Sequence, residues 1–105
     1  AIAIDSVGIS DDGVPVCSAR GPDDPFVDQV RTAVRTADVA LRACENRTSD
    51  HWSFVRNGLD GVRIGLAGDA EYAEYHSSAD VADIVRDDLV AQAAEAVWAA
   101  ISWTW

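Results

Sequence analysis

Residues 1–9, Ala-Ile-Ala-Ile-Asp-Ser-Val-Gly-Ile, form an apolar run rich in Ile and Val with a single charge in it, Asp5. Such a run reads as a buried strand, which must lie in a sheet covered by other elements. A carboxylate inside it is costly unless it is paired or bound to a metal. The run therefore points to a layered fold and marks Asp5 as a residue with a task.

The rest of the chain supplies the layers. Ser10-Asp11-Asp12-Gly13 is a hairpin signal that returns the chain into a strand over Val14 to Cys17. Pro15 within that return suggests an edge strand. Gly21-Pro22-Asp23-Asp24-Pro25 breaks the chain and opens a helix, along which Val27, Val30, Val34, Ala37 and Leu41 recur at helical spacing. The polar stretch Glu45 to Asp50 is a loop, with Ser49 or Asp50 placed to cap a short helix through Val55. Asn57-Gly58 ends that helix. Val62 to Ala67 is the next strand, apolar apart from Arg63, and Gly68-Asp69 closes it. The final element, from about Asp87 to Trp103, carries Leu89, Ala93, Val97 and Ile101 on one face, with Trp98, Trp103 and Trp105 near its end. Strand, hairpin, helix, strand, helix is an α/β pattern: a partial sheet of about three strands under amphipathic helices, in one domain spanning the chain.

Composition excludes some functions. Eighteen acidic residues face eight basic ones, all arginine, for a formal net charge of −10 across 105 residues. That surface repels phosphate backbones and anionic lipid, so neither a nucleic acid nor a membrane is expected as partner. No apolar run approaches the roughly 20 residues that would span a bilayer. Cys17 and Cys44 could make one disulfide; their spacing matches no zinc ribbon or redox pair, and they read as buried thiols.

Three short pieces carry the chemistry: Asp5-Ser6-Val7-Gly8, Ser49-Asp50-His51 followed by Phe54, and Tyr75-His76-Ser77-Ser78 followed by Asp80. An acidic residue at a strand end and a histidine in a later loop suit a shared metal site, since sites of open α/β sheets lie at strand ends. In order and in element type, the three resemble the C-terminal half of the co-catalytic zinc aminopeptidases. That superfamily also holds glutaminyl cyclases, glutamate carboxypeptidases and transferrin-receptor-like domains. Its members typically show Asp-Met-Val/Ile-Gly at a strand end, Ser-Asp-His-x-x-Phe/Trp at a helix start and Tyr-His-Thr-Pro-x-Asp before a last helix.

The resemblance implies a parent enzyme that removes N-terminal residues from peptides with two zinc ions. It implies Asp5 and His76 as metal ligands and Tyr75 as hydrogen-bond donor to the oxyanion of the tetrahedral intermediate. Asp50 and His51 would hydrogen bond around the metal pocket and orient its ligands. Asp80 would hold the His76 loop through its backbone. The chain departs from the pattern at Ser77-Ser78 (for Thr-Pro), at Ser6 (for Met) and at Asp60 (for Pro). It has no His-x-Asp and no Glu-Glu dipeptide, which the family draws from its N-terminal half. The expectation is thus a fragment, opening in mid-strand, inactive alone, and binding zinc weakly or not at all. Two further readings stand beside it: a peptidase-like module that serves only in binding or assembly, and a glutaminyl cyclase-like acyltransferase. A sheet cut in half exposes an edge and apolar faces, so a homodimer through that edge is expected.

Overall fold

The computed structural model describes residues 1–9, 12–66 and 72–103. Four strands, β1 (Ile2–Ile4), β2 (Val14–Ser18), β3 (Leu41–Glu45) and β4 (Val62–Ile64), form one sheet in the order β1-β4-β2-β3. Among the described residues three α-helices accompany them: α1 (Pro25–Val34), α2 (His51–Val55) and α3 (Asp87–Ser102). The expected α/β class holds, with one strand more than expected.

The hairpin does not form. β1 pairs in parallel with β4, placing Ile4 opposite Ile64, and β4 pairs antiparallel with β2, placing Ile64 opposite Val16. β4 thus separates the two strands expected to be neighbours. Burial explains it: Val16, Val62 and Ile64 have no exposed surface, so the most apolar strands lie side by side at the centre. Pro15 consequently sits in an inner strand, not at an edge. Its carbonyl accepts from the Gly65 N–H at 3.0 Å, just past the last residue of β4. The donor that proline lacks would fall where that ladder ends, so it costs little.

The first helix is shorter than its apolar spacing suggests. Asp24 caps it, accepting from the Phe26 N–H at 3.0 Å, with Pro25 in the first turn; such a cap is worth about 1 kcal/mol. Ser18 donates to the other oxygen of Asp24, tying the cap to β2. After Val34 the chain tightens into a 3₁₀ turn (Arg35–Ala37), and Asp38 turns left-handed at φ 54°. Leu41 then lies in β3, opposite Val14, instead of on the helix. An apolar residue every three or four positions fitted the helix, but pairing with β2 decided the outcome.

Cys17 and Cys44 face each other in the parallel β2–β3 register and form a disulfide, their Cα atoms 4.3 Å apart. They are not free thiols. The strand register puts Val14, Val16, Val62 and Ile64 on one face of the sheet, packed against Val27, Val30 and Val34 of α1 and Ala96 and Ala100 of α3. By alternation, Ala3, Cys17 and Arg63 point to the opposite face. α3 begins where expected, with the Arg86 guanidinium hydrogen-bonded to Asp88 and holding that carboxyl below the usual range. The Ser10-Asp11 part of the expected turn, Ala67 to Asp69 and Trp105 lie outside the described residues.

Candidate metal centre

The parallel β1–β4 pair continues past its last strand residues. The Asp5 N–H donates to the Ile64 carbonyl at 3.1 Å, and the Leu66 N–H donates to the Ser6 carbonyl at 3.1 Å. Between them Gly65 passes so close that an added β-carbon would lie 1.5 Å from the Asp5 carbonyl oxygen. Ser6 turns left-handed at φ 52° and releases the chain from the strand. These contacts hold the backbone of Asp5 at the C-terminal end of β1 while its side chain stays 64% exposed.

That side chain faces a buried cation. Arg63, its side chain 3% exposed, places Nη2 3.4 Å from Asp5 Oδ2. The same Nη2 lies 3.4 Å from Ser6 Oγ. The Ser6 hydroxyl lies 3.3 Å from the Tyr72 hydroxyl, which in turn donates to Asp80 Oδ2 at 3.4 Å. The Tyr72 ring meets Tyr75 edge-on with centroids 5.5 Å apart. Tyr75 stacks on His76, centroids 3.8 Å apart and planes within 17°. A continuous chain of contacts thus runs from Asp5 through Ser6, Tyr72 and Tyr75 to His76, with Asp80 attached at Tyr72.

The loop that carries His76 is held by its own polar groups. His76 is left-handed at φ 54°. The Ser77 hydroxyl donates to the Glu74 carbonyl at 2.7 Å and accepts from the Ala79 N–H at 3.2 Å. The Asp80 N–H closes a turn onto the Ser77 carbonyl at 3.1 Å. Ser77 therefore supplies by hydrogen bonds some of the rigidity that a proline would impose through its fixed φ. The bond seen at the Asp80 carboxylate among the described residues comes from the Tyr72 hydroxyl, where the expectation was loop backbone.

Asp50 and His51 are not brought to this cluster. His51 is fully buried and packs against Gly61, before the first residue of β4, whereas Asp5 lies beyond the last. Its Nε2 lies 2.7 Å from the Asn46 carbonyl, so that nitrogen carries the proton, and Nδ1 is buried without a partner among the described residues. Asp50 is exposed, and its side chain makes no capping bond to α2. The helix begins instead by the Trp52 N–H bonding to the Ser49 carbonyl at 3.0 Å.

Arg63 and Tyr72 are the participants that the motifs did not name. Arg63 had a signal, the one charge in an apolar strand; Tyr72 had none beyond standing three residues before Tyr75. As a metal centre the cluster is partial. Carboxylate and imidazole are donors that zinc accepts, but three protein ligands are the usual minimum for a catalytic ion. Among the described residues no group of three or more His, Cys, Asp or Glu side chains could hold a metal. Asp5 and His76 are of the donor types that such a set uses.

No curated protein matches the sequence. Two solved structures of BSAP, a zinc aminopeptidase from Bacillus subtilis, share the fold, with TM-scores of 0.81 and 0.80 at 23% identity. Each match covers 95% of this chain and only 26% of the aminopeptidase chain. A profile of peptidase family M28 matches residues 2–101, nearly the whole sequence, and the chain belongs to that family.

Proposed function

We propose that this chain is one part of a zinc exopeptidase of the aminopeptidase type, in which Asp5 and His76 would be ligands of a two-zinc centre. Zinc, when bound, supplies a Lewis acid for the peptide carbonyl and lowers the pKa of its water. The chain's own residues would do the rest. Arg63 and Ser6 orient the Asp5 carboxylate. The Ser77 turn and the Tyr75 ring position the His76 imidazole, and the Tyr75 hydroxyl donates to the developing oxyanion. The remaining ligands and the general base, a glutamate, come from parts of the domain outside these residues.

The observation supporting this reading is the contact chain Asp5–Ser6–Tyr72–Tyr75–His76 in a member of family M28. Hydrolysis of aminoacyl-nitroanilides tests it. The 105-residue chain is expected to be inert, and a longer chain that includes the missing ligands and glutamate to be active and silenced by chelator. Turnover by the short chain alone, or an inert longer chain that carries every ligand, would refute it.

We also propose that the short chain self-associates. Ile4 of edge strand β1, with Val90, Val97, Trp98 and Ile101 of α3, lines a groove of about 360 Å³. Trp98, 69% exposed, stands between this groove and a second one of about 330 Å³. A projecting indole beside a hollow large enough for another suits a two-fold pair of copies, where each face must complement itself. The first groove has no charged residue in its lining, so the net charge of −10 opposes contact least there.

A further inference from the structure

Asp5 already has a cation. The Arg63 guanidinium is buried at the junction of β1 and β4, where strand pairing with Ala3 and Cys17 fixes its backbone. Nη2 reaches Asp5 Oδ2 and Ser6 Oγ, both at 3.4 Å, and Nε has no hydrogen-bond partner among the described residues. Burying a guanidinium is expensive, and an exposed carboxylate at that distance returns little of the cost. Arg63 therefore does little for stability where it stands, while its charge acts at the candidate ligand. A divalent ion arriving at Asp5 meets a buried positive charge 3.4 Å from the carboxylate.

We propose that Arg63 is a built-in counter-ion that competes with the metal for Asp5 and holds down the affinity of the half-site. The proposal rests on the reading of Asp5 as a ligand. By this account the half-site takes metal only weakly on its own and fills when further ligands outweigh the arginine. The arginine also keeps the carboxylate oriented in the interval. Arg63 is a positioning residue in this scheme, since it touches Asp5 and not the substrate.

Zinc chloride titrated into the ¹⁵N-labelled chain, read from the amide shifts of Asp5 and His76, tests the proposal. R63M is expected to tighten zinc binding roughly tenfold, the scale of a screened repulsion between cations a few ångströms apart. R63K keeps the charge and is expected within about twofold of the parent. R63Q removes the charge but retains a polar end, and gives the same expected gain should R63M fold poorly. Amide dispersion reports the fold of each variant. Equal or weaker binding by the folded neutral variants, with the response still lost in D5N, would overturn the role of Arg63 and leave Asp5 as a ligand. A titration unchanged by D5N would instead overturn the ligand reading, and this proposal with it.

Discussion

At Gly65 the backbone of β4 passes against that of Asp5, and an added β-carbon would overlap the Asp5 carbonyl oxygen at 1.5 Å. The residue also has φ 133°, which side-chain-bearing residues rarely adopt. G65A is therefore expected to cost about 3 kcal/mol or more, since backbone and not a yielding side chain is in the way. Urea unfolding measures this, and a loss under about 1 kcal/mol would mean that β1 and β4 do not meet as described. Asp5, Tyr75 and His76 could be singled out in the sequence as candidates because each lies in a short motif whose neighbours are part of the signal. Arg63 and Tyr72 were not, because what they touch depends on strand register and on a loop fold formed by distant residues. His51 shows the converse. Its motif was recognised, but where α2 lies relative to β4 is decided by packing against Gly61.

Among the elements, β2 and β3 depend most on a covalent link. Cys17 and Cys44, 27 positions apart, close a loop across an edge pair whose outer strand is only half-buried. In the chain-entropy account a crosslink of that span contributes about 3.5 kcal/mol. Reduction by dithiothreitol is expected to lower the urea midpoint accordingly, with no shift for a C17S/C44S variant, which starts from the lower value. An unchanged midpoint on reduction would show that the two strands hold together without the bond. The presence of each helix was readable from spacing and breaker residues, and α3 matches its expected span closely, but the end of α1 and the cap of α2 were not. The strand order was not readable. A turn signal at Asp12-Gly13 is local, whereas the choice of β4 over β2 as neighbour of β1 is made by burial of Val62 and Ile64. β3 was hidden because Val34, Ala37 and Leu41 satisfy a helical period as well as they satisfy the start of a strand.

On the scale of the whole molecule, the fold of a peptidase is present over 95% of this chain, yet it accounts for 26% of the aminopeptidase that it matches. The proposed ligand set is partial in the same way, and an apolar face lies open beside β1 and α3. Sedimentation of the chain across a wide concentration range is expected to show reversible dimers that W98E abolishes. A monomer at high concentration, or a dimer indifferent to W98E, would contradict the proposed face. Asp5 and His76 lie 71 positions apart in sequence and, among the described residues, are joined in space through Ser6, Tyr72 and Tyr75. Manganese added to the ¹⁵N-labelled chain tests their proposed joint role as ligands most directly, because the ion broadens the amides nearest to it. The account predicts that signals around Asp5 and around His76 broaden together at the same manganese concentration, and that D5N relieves both. Broadening at one of them alone, or at acidic residues elsewhere with these two untouched, would contradict it.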